Sequence, residues 1–155
     1  MISIQEIRTK LTQVLHLKES PHRTALAFAI GVFIAFSPTY GLHTLSVVFC
    51  AWAFRLNFLA VFLGAFINNP WTIAPILAFT MWTGFLLLGK PEMGSFSWEN
   101  LSPETLYDVV TPYIIPFALG GLALSLLGAL ISYPIVLFSI SRSRRKNLIV
   151  PDRMS

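Results

Sequence analysis

Between Thr24 and Gly89 the chain carries one formally charged side chain, Arg55. A water-soluble fold needs charged or strongly polar positions on every exposed helix face, and this stretch has almost none to give. Charged residues are 12% of the 155 residues, against about 25% in soluble domains, so the deficit is general. The remaining charges gather before Thr24, in 90–108 and after Ser141. Thirteen Phe and four Trp add more apolar area than a chain this small can bury. The expectation is an all-α integral membrane protein.

Cysteine and histidine usage narrows the chemistry. Cys50 is the single cysteine, so no intrachain disulfide forms, and His16, His22 and His43 show no ligand spacing. No metal and no cofactor is expected. Residues 1–23 carry six charges and lack an apolar core ending in small residues, so a cleavable signal peptide is not expected.

Segment lengths set the topology. Ile4, Ile7, Leu11 and Val14 fall at helical spacing, predicting an amphipathic helix over 1–19 that lies on the membrane or packs on the protein. A single membrane domain follows over 20–140. Residues 24–36 and 42–54 are apolar halves of about 13 residues, and a span needs about 20. Between them stands Ser37-Pro38-Thr39-Tyr40-Gly41. The pattern returns after Arg55: 58–67 apolar, then Asn68-Asn69-Pro70-Trp71-Thr72, then 73–89 apolar. Gly31 to Tyr40 and Gly64 to Thr72 share Gly-x-Phe-Ile before a proline, at an offset of 33 at the glycine and 32 at the proline. Internal duplication and chance both produce such a match. Residues 90–112 are polar and net acidic, with a helix-start signal at Ser102-Pro103-Glu104. Residues 113–138 are the longest apolar run and the one full transmembrane helix expected, with Gly120, Gly121 and Gly128 allowing close helix approach.

Lys/Arg bias orients the chain. Four such residues precede Thr24, five follow Ser141 and one lies in 90–112. Both termini, including the basic tail 141–155, are expected on the cytoplasmic side and the 90–112 loop outside. The arrangement with fewest conflicts makes 24–54 a re-entrant helical hairpin, 58–89 a broken transmembrane helix and 113–138 a full crossing. The competing arrangement makes 24–54 a full span and 58–89 the hairpin.

Backbone freed in mid-membrane must be satisfied by protein or by water in a cavity. Ser37, Thr39, Tyr40 and His43 surround the first break, and Asn68, Asn69 and Thr72 the second. Pro38 and Pro70 each remove a donor and disfavour helix at the preceding residue. Helices restarting after Gly41 and after Thr72 would aim free N–H groups at one place, which suits an anion. Arg55 offers further positive charge as an ionisable residue in membrane sequence. The plainer readings are that Ser37, Thr39 and Thr72 cap helices, Asn68 and Asn69 tie the loop, His43 packs, Arg55 marks a turn, and Tyr40 and Trp71 belong to an interfacial belt.

The stretches "ALAFAIGVFIAFSPTYGLHT" and "RLNFLAVFLGAFINNPWTIAP" resemble the paired signatures of the bacterial membrane family called domain of unknown function 2062. The matching positions are Gly31, Phe33, Ile34, Ser37, Pro38, Gly41 and His43, then Arg55 and Asn57, then Asn69, Pro70, Thr72 and Pro75, within a likeness covering residues 8–140. The resemblance implies a multi-pass protein of the bacterial inner membrane with no assigned activity, and adds Asn57 to the candidate positions. Glycosyltransferase domains fused to or neighbouring some members hint at lipid-linked sugar metabolism. A looser likeness to DedA-type lipid transporters rests on architecture alone.

The reading is of a protein that binds or translocates an anionic lipid or polyprenyl phosphate, the phosphate lying between Ser37–His43 and Asn68–Thr72. Membrane lipids are its expected partners, and a homo-oligomer would enclose a pathway. The alternative is a non-catalytic scaffold or assembly subunit. No paired acids, nucleophile set or phosphate-cradling glycine loop points to an enzyme. The short basic run Arg142–Lys146 follows a membrane span and does not point to nucleic acid.

Overall fold

The computed structural model describes residues 20–39, 41–91 and 102–148. The amphipathic segment 1–19, Tyr40, residues 92–101 and the tail beyond Leu148 lie outside the described residues. Among those described the fold is all-helical, with five helices and no strands: α1 (Pro21–Phe36), α2 (His43–Ala53), α3 (Phe58–Ala65), α4 (Ile73–Leu88) and α5 (Pro103–Leu148).

Local sequence explains each boundary. Ser20 caps α1 by accepting from the Arg23 N–H, with Pro21 in the first turn where its missing donor costs nothing. At the far end Pro38 holds Ser37 in extended backbone, φ −65° and ψ 142°, so the helix stops at Phe36. Asn57 caps α3 by accepting from the Ala60 N–H. Gly89, at φ +83°, closes α4 with its N–H on the Phe85 carbonyl. The α5 start falls at Ser102-Pro103-Glu104; the Glu104 backbone N–H and the Ser102 hydroxyl hold the Glu104 carboxyl below its usual range.

Helix α5 has 46 residues, about 69 Å at 1.5 Å per residue. It overruns the apolar run 113–138 at both ends, taking in 103–112 and 139–148. Pro112, Pro116 and Pro134 lie inside it, each deleting one hydrogen bond without ending the helix. Among the described residues it is the one helix long and apolar enough to cross a membrane. The other four, at 16, 11, 8 and 16 residues, come to about 24, 16, 12 and 24 Å and fall short of a 30 Å hydrocarbon core.

Contacts fix the directions. Ile34 and Val47 share a buried cluster with Ala27 and Ala51, and Arg23 Nη2 donates to the Arg55 carbonyl at 2.6 Å. Helices α1 and α2 are therefore an antiparallel hairpin. Helix α3 begins beside Arg23 and runs alongside α1 in the same direction, with Gly31 against Gly64. Both α1 and α4 run antiparallel to α5. His22 meets Tyr133 and Val32 meets Gly128, while Thr80 meets Gly120 and Phe85 meets Tyr113. So α1 covers the C-terminal part of α5 and α4 the part before it, end to end.

Two reciprocal glycine crossings hold this together. A side-chain carbon on Gly31 would overlap the Val61 carbonyl and lie 2.7 Å from Ala65 N; one on Gly64 would overlap the Phe28 carbonyl. Likewise Gly84 sits on the Pro116 carbonyl and Gly120 on the Thr80 carbonyl. Buried positions are mostly small, including Ala25, Ala27, Ala35, Ala60 and Ala65, while Phe49, Trp52, Phe62, Leu86, Ile115 and Leu130 face outward. Small residues inside with large apolar ones outside is the pattern of helices packed in lipid, where water drives nothing inward.

Candidate functional site

The two interrupted segments meet. A cavity of about 470 Å³ lies between them, lined by Ser37, Thr39, Gly41 and His43 from the first break and Asn68, Asn69, Pro70 and Ile73 from the second. The Gly31–Gly64 crossing is what brings them together. The parallel helices α1 and α3 touch there, and each reaches its proline within two turns, so both chains unwind at the same height.

In the first break the Leu42 N–H donates to the Thr39 carbonyl at 3.1 Å, a tight turn completed by Gly41 at φ +86°. A side-chain carbon there would meet nothing within 4 Å, so the glycine is required by backbone conformation alone. Gly41→Val is expected to cost about 1–2 kcal/mol and Gly41→Asn less, measured as a fall in the thermal midpoint of the purified protein. The Ser37 and His43 side chains make no hydrogen bond to a described residue, and the Thr39 hydroxyl is enclosed without a partner.

The second break is built differently. Asn69 Oδ1 accepts from the Trp71 N–H at 2.9 Å and the Thr72 N–H at 3.2 Å, and Asn69 Nδ2 donates to the Phe66 carbonyl at 3.3 Å. Thr72 Oγ1 accepts from the Asn69 N–H at 3.0 Å and donates to the Ile67 carbonyl. Both side chains are committed to their own loop. Asn68 is left with its side chain unbonded on the cavity wall.

Helix directions add electrostatics. Helix α2 leads back from the cavity toward Arg55 and α4 leads on along α5, so their N-termini face it from opposite sides. Neither first turn has a side-chain cap from its N-cap residue, Leu42 or Thr72. Two positive dipole ends with hydroxyl, imidazole and amide groups between them favour an acceptor-rich, negatively charged group.

Arg55 and Asn57 are not part of this site. They lie at the other end of the 11-residue α2, about 16 Å away, where the Arg55 carbonyl takes the Arg23 guanidinium and Asn57 caps α3. Pro75 is exposed on α4 outside the cavity lining, and Pro38 packs on α5 at Gly121. Ile73 lines the cavity without having been singled out from the sequence; its position directly after the second break was the available signal. No cluster of three or more metal-ligating side chains occurs among the described residues.

No curated protein and no solved structure matches the chain. The profile of a family described as uncharacterised proteins conserved in bacteria, domain of unknown function 2062, matches residues 5–148. That span takes in both breaks, both glycine crossings and all five helices, and the chain belongs to this family.

Proposed function

We propose that the protein sits in the bacterial inner membrane and binds, and translocates, an anionic amphiphile of the phospholipid or polyprenyl phosphate class. In this reading the α1–α2 hairpin is re-entrant from the cytoplasmic side. The α3–α4 pair, together about 36 Å of helix, crosses once with its break at mid-depth. Helix α5 crosses back, and both termini are cytoplasmic. Charge supports the orientation. Arg23, Arg55, Arg142 and Arg145 belong to one end of the fold, and Glu104 and Asp108 to the other.

The observation that carries the reading is the cavity between the two breaks, with Ser37, His43 and Asn68 unbonded on its wall and the Thr39 hydroxyl unpartnered. The enclosed Thr39 hydroxyl is the group for which this matters most, since buried polar groups without partners are rare and are commonly satisfied by something bound. The volume suits a phosphate headgroup while the hydrocarbon tail stays in the bilayer. A second copy packed across the open side would enclose the path.

The test titrates dodecyl phosphate into the purified full chain by calorimetry, with dodecyl maltoside as the neutral probe. The triple variant Ser37→Ala, His43→Ala, Asn68→Ala is expected to bind dodecyl phosphate at least about tenfold more weakly with an unchanged thermal midpoint. Equal affinity of wild type and variant overturns the reading. One observation favours a scaffold role instead, the self-contained bonding of Asn69 and Thr72. On that account the triple variant loses stability and the wild type shows no preference for the phosphate.

A further inference from the structure

A second cavity lies on the other side of Phe33 from the breaks. It is a groove of about 320 Å³ between α1 and the C-terminal half of α5, walled by Leu26, Ile30 and Phe33 from α1 and Ala129, Leu130 and Tyr133 from α5. The three α1 residues repeat at i, i+4 and i+7, one stripe about 10 Å long. Its single polar atom from a side chain, the Tyr133 hydroxyl, bonds His22 Nδ1 at 2.7 Å, and the two rings stand 6.3 Å apart. The groove is therefore dry along its length and finished by a polar pair at one end.

That end is also where positive charge collects. Arg23 follows His22, and Arg142 and Arg145 are exposed on α5 two to four turns past Tyr133. The described carboxylates, Glu104 and Asp108, are at the opposite end of α5. A hydrocarbon slot that ends toward the arginine-bearing end of the fold, with no carboxylate at that end among the described residues, is complementary to one class of occupant. The geometry points to a site for one acyl chain of an anionic phospholipid of the cytoplasmic leaflet, its chain along Leu26–Phe33 and its headgroup at the His22–Tyr133 end. This rests on the membrane placement proposed above, but not on the cavity between the breaks.

Polybasic attraction near a membrane surface is worth about fivefold in affinity for each cation engaged, and each methylene withdrawn into the groove adds to it. The wild-type chain, reconstituted with equal phosphatidylglycerol and phosphatidylcholine, is extracted in mild detergent and its retained lipid counted by native mass spectrometry. Phosphatidylglycerol is expected to exceed phosphatidylcholine by about fivefold or more. Ala129→Phe, which fills the slot, should cut retained phosphatidylglycerol about tenfold while leaving dodecyl phosphate binding unchanged. Phe33→Trp supplies a second readout that does not depend on the filled variant folding. Its added fluorescence should be quenched by brominated-chain phosphatidylglycerol more than by brominated-chain phosphatidylcholine. Equal retention of the two lipids, equal retention by Ala129→Phe, or equal quenching overturns the proposal. Failure of the headgroup cavity instead shows as lost dodecyl phosphate discrimination with lipid retention intact.

Discussion

Gly31→Leu is expected to lower the thermal midpoint of the purified protein by about 6–12 °C, corresponding to about 3 kcal/mol or more. Even the first side-chain carbon at this position would overlap the Val61 carbonyl and crowd Ala65 N and the Gly64 Cα at 2.7 and 2.9 Å. These are backbone atoms of a helix and cannot rotate away, so α1 and α3 must separate. Separation also opens the cavity, because the crossing holds the two breaks at one height. Gly64→Leu should behave alike and the double variant should cost less than the sum, since either substitution alone has already parted the helices. Leu86→Ala, at a position 67% exposed and outside both cavities, is the control and should change stability by little. A wild-type midpoint for Gly31→Leu would mean the helices do not cross there.

The second large effect is expected at Asn69. Alanine removes the acceptor for two backbone N–H groups and the donor to the Phe66 carbonyl, at a cost of about 1–3 kcal/mol. The damage is local before it is global. Amide hydrogen exchange at Trp71 and Thr72 should rise about tenfold, because the side-chain oxygen that now bonds both is gone. Thr72→Val should reproduce part of this through the lost bonds to Asn69 N and the Ile67 carbonyl. Any fall in amphiphile binding by Asn69→Ala then follows from the loosened loop, and it should track the exchange rate rather than the chemistry of the probe. Unchanged exchange at Trp71 and Thr72 would contradict the loop geometry.

Some of this molecule was open to reading from its residues. The all-helical class followed from long apolar runs without alternation, and the stop at Phe36 from the restriction that Pro38 places on Ser37. The Ser20-Pro21 and Ser102-Pro103 starts were legible for the same local reason. What stayed hidden was decided by tertiary contacts. Pro112 and Pro116 argue for a helix end, yet α5 runs through both. Arg55 and Asn57 share a motif with cavity residues, although the hairpin expected over 24–54 already sets them at its open end, where the structure has them capping and bonding rather than lining the cavity. Asn69 looked like a ligand group until its amide was found bonded within its own loop. Gly31 and Gly64 were visible as a repeat; that they touch was not, since a 33-residue offset says nothing about direction.

The stacking of α1 and α4 along α5 has a mechanical consequence. One long rod serves as a rail, gripped at Gly128 by α1 and at Gly120 by α4, points about 12 Å apart. The chain joining the two grips runs through both breaks as well as α2 and α3, and Pro38, just past α1, touches α5 at Gly121 beside the second grip. Any change in the spacing of the clamps would have to be taken up at the breaks, where helical hydrogen bonds are interrupted, and would reshape the chamber they line.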